Sequence, residues 1–254
     1  MKCSILIAVL DSHEVVRKQI EYMGEILRRN KTLKEECEII IIDDGSEKSI
    51  ANYLTTKWNM SENLYSIYSE EYKSTIIDFG LLLGFKFRVV ETNDKTPWSQ
   101  PRARNIGAYI SVGEYLLMTD IDHIFTEESI VETVNFKGDK LVFRRKFAII
   151  DEKLEICRDK KVLMDYGCKE ADLEKSGSHA NTFAMKREIF IDLLNGYDEK
   201  FCGKHGGDDT DLNKRYGELH YKKLVNKHVM GSLIYVYPNP RKDVKRIFHD
   251  LRFK

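Results

Sequence analysis

Along the first half of the chain two hydrophobic rhythms alternate. Cys3 to Leu10 (CSILIAVL) is a short apolar run, partly β-branched, with the length of a buried strand. Val15, Val16, Ile20, Met23, Ile26 and Leu27 recur at helical spacing, predicting an amphipathic helix to about Arg29 behind a cap at Asp11-Ser12-His13. Glu38 to Ile42 (EIIII) predicts a second buried strand, closed by Asp43-Asp44-Gly45-Ser46. Strand, helix and strand in succession form a right-handed βαβ unit, so the sheet begins parallel.

The pattern is less regular afterwards. Residues 51–86 are rich in aromatics (Tyr53, Trp58, Tyr65, Tyr68, Tyr72) and read as packing, with Ile76 to Phe87 a helix or a helix plus loop. Phe87 to Glu91 (FRVVE) predicts a third strand, Trp98 to Pro101 a turn, and Arg102 to Ser111 a helix. Tyr115 to Met118 is a strand that ends in Asp120-Ile121-Asp122-His123. A helix over Glu127 to Val134 and a strand over Leu141 to Phe147 follow, then a highly charged surface excursion at 151–176. Asn181 to Met185 reads as a strand and Arg187 to Asn195 as a short helix. Gly206-Gly207 then lead into a helix that starts at Asp208-Asp209 and runs to about Leu219. A strand over Leu233 to Tyr237, the rigid Pro238-Asn239-Pro240 and a basic helix through His249 complete the pattern. With no repeat, low-complexity tract or linker, the expectation is one α/β domain over 1–254. Its two halves are a nucleotide-type half, 1–122, and a second half, 123–254, that completes the pocket.

Composition narrows this picture. A chain of 254 residues is long enough for a sizeable core. Lys plus Arg and Asp plus Glu are both 41, so no net field recruits nucleic acid. The basic run Arg241 to Lys254 leaves peripheral membrane contact open. Five cysteines, odd in number and without CxxC spacing, argue against a disulfide framework and a zinc site, and fit a reducing compartment. No signal-peptide pattern and no long apolar span are present, so the expected location is cytoplasmic.

The chemistry concentrates at strand ends. Alternation aims side chains i and i+2 the same way, so Asp120 and Asp122 converge. Two hard oxygen ligands suit Mg²⁺ or Mn²⁺ shared with a substrate's phosphates. A lone Asp-x-Asp is more often a solvated turn or a helix cap. Here Ala8 to Ser12, Asp43-Asp44 and Asp120-Ile121-Asp122 all fall at the carboxyl ends of predicted strands, where open α/β sheets bind ligands. Arg102, Arg104 and Asn105 open the preceding helix, and an arginine there can grip phosphate. Asp208 and Asp209 can cap their helix, a role compatible with catalysis.

In this order the motifs resemble GT-A fold glycosyltransferases, especially the inverting family 2. EIIIIDDGS is similar to that family's IIVVDDGS. PRARNIGAYISVGEYLLMTDID resembles its ARNxGxxxAxGEYxxFLDxD pattern, and NGYDEKFCGKHGGDDTDL its GGxDExFxGxxxEDxDL segment. GGDDTDL, KHV and PNPRKDVKRIFH also resemble the catalytic module of animal beta-galactosyltransferases and polypeptide N-acetylgalactosaminyltransferases. The resemblance covers the chain except about 51–86 and 148–176. It implies a GT-A fold, with a Rossmann-like, mostly parallel central sheet flanked by helices and a smaller antiparallel acceptor-side portion.

It also implies roles. Ala8 and Leu10 would lie on the nucleotide, where the family has Pro-Thr-Tyr. Asp44, with Asp43, would accept a hydrogen bond from the uracil of a UDP-sugar, and Arg104 would contact the nucleotide or its diphosphate. Asp122 would bind Mn²⁺ (or Mg²⁺), with Asp120 nearer the ribose and the metal's surroundings. His228 would supply a metal histidine, with His249 in reserve. Val225 stands where the related enzymes have a ligand methionine. Asp209 would be the general base toward the hydroxyl of a glycan or glycoconjugate acceptor, and Asp208 would hold acceptor hydroxyls. Lys204-His205 replaces an aromatic acceptor platform. Two alternatives remain: a nucleotidyltransferase, although Ala8 to Glu14 contains no glycine, or a non-catalytic nucleotide-sugar or carbohydrate-binding protein on the same scaffold.

Overall fold

Seven consecutive residues can all be buried only where a strand is covered on both faces. β1 (Cys3–Val9) and β2 (Cys37–Asp43) meet that condition, with every residue buried and the two strands parallel from Cys3↔Cys37 to Val9↔Asp43. The computed structural model describes residues 1–60, 64–96, 98–173, 177–204 and 206–238. α1 (His13–Arg29) connects the two strands through α2 (Lys31–Glu36), burying Val16, Ile20, Met23, Ile26 and Leu27 against one face of the sheet. The Ser12 hydroxyl does not cap α1; it donates to Leu10 O.

After α3 (Ile50–Lys57) the chain departs from the sequence expectation. Ile76 to Phe87 is not mainly helical. β3 (Tyr65–Ser69) and β4 (Ser74–Asp78) form an antiparallel hairpin, followed by the single turn α4 (Gly80–Leu83). The cause is pairing beyond the local sequence: Ile76 and Ile77 lie beside Val90 and Val89 of β5 (Phe87–Glu91). β3 is the outer strand, and its exposed Tyr65, Ile67 and Tyr68 leave no buried face for the pattern to report.

α5 (Gln100–Ile110) begins with Pro101 in its first turn and covers the opposite face of β1 and β2. β6 (Tyr115–Asp120) runs parallel to β1, bringing Asp120 beside Ala8. The second half supplies β7 (His123–Ile124), α6 (Glu127–Asn135) and β8 (Lys140–Phe147). The excursion at 151–176 holds β10 (Ile156–Cys157), paired to β9 (Ile149–Ile150), and α7 (Lys160–Asp165). β11 (Phe183–Lys186), α8 (Asp208–Tyr221) and β12 (Val229–Val236) follow. Between β11 and α8 the expected short helix is one wide turn over Ile189–Leu193, closed by Leu194 N–H on Ile189 O at 3.0 Å. The expected basic helix through His249 lies outside the described residues.

Among the described residues one sheet contains ten strands in the order β3-β4-β5-β2-β1-β6-β11-β8-β12-β7. β5, β2, β1 and β6 are parallel, and β11 runs antiparallel between β6 and β8. β6 and β8 therefore point the same way, so strands from both halves end at one edge.

Candidate active site

At that edge the two aspartates after β2 take different work. Asp43 accepts from Ser46 N at 2.8 Å and Ile50 N at 3.0 Å, so both its oxygens shape the loop into α3. Asp43 thus has a structural task in the loop, and its expected base contact would have to share oxygens already engaged by the backbone. Asp44 is also buried, yet its Oδ1 has no hydrogen-bond partner. Burial, then the carboxylates of Asp94 and Asp43, push its pKa up to about 8. Asp44 lies in the wall of a cavity of about 520 Å³ with Leu10, Asp11, Gly45, Glu47, Asp94, Lys95 and Thr96. Only glycine fits at position 45, which has φ +85° and where a Cβ would lie 1.9 Å from Asp94 O. An acceptor without a partner in the wall of a cavity can take an N–H from a planar base if the side chain turns its oxygen to the opening.

The Asp-x-Asp edge is joined to the acidic pair of α8 by one side chain. Arg104, fully buried, donates from Nη2 to Asp120 Oδ1 at 2.6 Å and from Nη1 to Asp208 Oδ2 at 3.4 Å. Its guanidinium also sits 5.2 Å from the centre of the Tyr197 ring. The expected roles meet this burial directly. Arg104 is enclosed with its guanidinium on two carboxylates, and Asp208, 3% exposed, is paired to it inside the fold, so neither presents its charge to an open surface. Burial raises the Asp208 pKa, opposed by Arg104. Asp209 is more exposed, and its Oδ1 accepts from Thr210 N at 2.7 Å. Gly207, at φ +97°, sets the backbone into α8 at these aspartates.

Four residues at the Asp-x-Asp turn were not anticipated. The ligand atoms of Asp120, Asp122 and His123 lie within 4.8 Å of one another. His179 brings Nδ1 to 3.6 Å from Asp120 Oδ2, and Arg145 reaches the buried His123 ring. Burial lowers the His123 pKa to about 4, leaving a neutral imidazole. Gln19 on α1 donates to Ile121 O and His123 O, both at 3.1 Å, which fixes the turn. Two carboxylates one residue apart form a hard oxygen donor pair that fits Mn²⁺ shared with a substrate's phosphates, with the neutral imidazole beside them. His123 was adjacent to the motif in sequence. No local signal marked His179, Arg145 or Gln19, which reach the turn from other elements.

The remaining expected residues divide. Leu10 lines the Asp44 cavity, whereas Ala8 is buried within the sheet and contributes position only. His228 is not at the Asp-x-Asp. It precedes Val229, which pairs with Leu141 at the start of β8, level with the Tyr115 end of β6. The groups acting on its titration are Lys140, Lys227 and His220, not Asp120 or Asp122. The parallel pairing of β12 with β8 forces this: the strand must cross the sheet before Tyr237 N–H reaches Asp122 O at 2.9 Å. His249 and His205 lie outside the described residues.

No protein-family model matches the chain, and no curated protein matches it. Several solved structures are similar to it. The S. aureus TarS 1-349 structure matches at TM-score 0.58 and 14% identity, over 99% of this chain and 63% of that one. The mannosyltransferase PcManGT from Pyrobaculum calidifontis, in complex with GDP-Man and Mn²⁺, matches at TM-score 0.54 and 9% identity, over 95% and 58%. Glucosyl-3-phosphoglycerate synthase from Mycobacterium tuberculosis, in complex with Mn²⁺ and UDP-glucose, matches at TM-score 0.53 and 11% identity, over 99% and 75%. The chain thus spans less than two thirds of the TarS and PcManGT chains. The shared feature is the fold, the α/β architecture of GT-A glycosyltransferases.

Proposed function

We propose that this chain is a metal-dependent inverting glycosyltransferase that moves a sugar from a UDP-sugar to an acceptor hydroxyl of a glycan or glycoconjugate. The observation that carries the reading is the Arg104 bridge, which ties Asp120 on β6 to Asp208 at the start of α8. The bridge supports reading a candidate metal edge and Asp209 as parts of one site, since Asp209 adjoins Asp208 and its charge acts on Arg104. Structures of similar fold contain UDP, UDP-GlcNAc or UDP-glucose, the last with Mn²⁺.

In this reading the unpartnered Asp44 Oδ1 accepts the uracil N–H, with Leu10 and Lys95 lining the base cavity. Asp122 and Asp120 would hold Mn²⁺ (or Mg²⁺). A divalent ion bound there supplies charge stabilisation to the departing diphosphate. Asp209 takes the proton as the acceptor oxygen bonds to the anomeric carbon. The bond from that carbon to the diphosphate oxygen breaks, and UDP leaves. Neither TarS nor the synthase fixes the sugar here, and the linkage is a matter for assay.

All five cysteines are free thiols, which supports a reducing, cytoplasmic location. No helix among the described residues is long and apolar enough to cross a membrane. The test is incubation with a panel of UDP-sugars and Mn²⁺, reading UDP release. Release from at least one donor, abolished by EDTA, is expected. No release from any donor, with UDP still bound, would favour a non-catalytic binding protein.

A further inference from the structure

Behind the Asp120–Asp122 turn runs a chain of hydrogen bonds that the proposed reaction does not yet use. Thr119 Oγ1 lies 3.4 Å from Thr182 Oγ1, and Thr182 Oγ1 lies 3.1 Å from His123 Nδ1. On the far side of the ring, Arg145 Nη1 lies 3.4 Å from His123 Nε2. A guanidinium only donates, so Nε2 must accept. The ring proton then belongs on Nδ1, donated to Thr182. Both ring nitrogens are engaged, and the ring is 2% exposed. Nδ1 also lies 3.7 Å from Asp122 Oδ1, so in this tautomer the ring presents a proton, and no lone pair, to the Asp-x-Asp edge.

What the ring holds is a cation at the substrate edge. Phe183 pairs with both Met118 on β6 and Val142 on β8, which sets Arg145 close to the level of Asp120. Arg17, Arg28, Arg88, Arg102 and Arg215 each pair with a carboxylate at 3.0 Å or less. Arg145 makes no such ion pair among the described residues and spends a donor on a neutral ring. It is half-buried, with Asp122 and Asp120 the acids that act on it. A guanidinium kept this way has a fork of remaining donors for an oxyanion. A nucleoside diphosphate leaves carrying more negative charge than a divalent ion shared with two carboxylates can neutralise.

We propose that Arg145 binds a phosphate oxygen of the nucleoside diphosphate, and that His123 is its positioning residue and not a metal ligand. This rests on the nucleotide-sugar reading above. The test is calorimetric titration of the full chain with UDP and with uridine, in EDTA and in saturating Mn²⁺. The comparison is made in Mn²⁺ if UDP binds only there. Arg145→Ala is expected to weaken UDP about tenfold and leave uridine unchanged, with Arg145→Lys recovering part of the loss. His123→Ala is expected to weaken UDP similarly, to leave the Mn²⁺ concentration needed for UDP binding within twofold, and to add nothing in combination with Arg145→Ala. Thr182→Val, which removes only the support of the ring, is expected to show the same effect more weakly, and thermal melts confirm folding of each variant. Unchanged UDP affinity in Arg145→Ala, or equal losses for UDP and uridine, overturns the anion site. A tenfold higher Mn²⁺ requirement in His123→Ala makes that residue a ligand instead. If the wild-type chain binds no UDP under either condition, the nucleotide-sugar reading itself fails, and this inference with it.

Discussion

Asp44 is a carboxylate held where its charge is poorly solvated. In an unfolded chain it ionises near the ordinary aspartate value, about 3.9, but in the fold only at about 8. Between those values the folded state gives up stability as pH rises, and above the upper one the penalty is complete. Asp44→Asn is therefore expected to raise the melting temperature, by several degrees at pH 8.5 and by clearly less at pH 5, read by thermal melts at both. An equal shift at both pH values would contradict the burial account. The same substitution is expected to weaken UDP, because an amide placed against the uracil N–H can present a donor to a donor. Arg104 is the reverse case, a buried charge with two partners. Arg104→Met leaves Asp120 and Asp208 buried without it, at a cost of about 3–5 kcal/mol in denaturant unfolding. Arg104→Lys should recover little, since one ammonium cannot span both carboxylates as a fork does.

At the scale of elements, α5 does most of the joining. Beyond Arg104, Asn105 donates from Nδ2 to Tyr197 O at 2.9 Å and accepts from Tyr197 N at 2.8 Å, fixing the Gly196-Tyr197 turn that leads toward α8. Asn105→Ala strands two buried backbone groups, a loss of about 1–3 kcal/mol in urea unfolding, with transfer falling further than stability. Elements with a buried face were legible beforehand. β1, β2 and β6 are apolar because both faces are covered, and α1 shows its stripe because only one is. The β3–β4 hairpin was not legible. Its outer strand is exposed, and its inner strand depends on β5 for a partner, so no local period distinguished it from a helix.

On the scale of the whole molecule, strand direction decides which residues can share a site. The placement of Asp44, Asp120, Asp122 and Leu10 at one edge was readable because carboxyl strand ends converge in any parallel sheet. His228 lies elsewhere for the same reason: β12 runs parallel to β8, and its start is at the other end. Arg145 and His179 could not be found without the fold, since β8 and the segment before β11 meet the Asp-x-Asp turn only in three dimensions. His228→Ala is accordingly expected to leave Mn²⁺-dependent UDP affinity within twofold of wild type by calorimetry, while Asp122→Ala loses it. Reversal of that pair of results would place the histidine at the metal after all.

The most direct measurement compares Asp209→Asn with wild type, with UDP affinity and sugar transfer determined on the same preparation. UDP affinity within twofold and transfer lowered about 10³-fold is the predicted result. Wild-type transfer in Asp209→Asn would contradict it, because Asp209 would then not be the base.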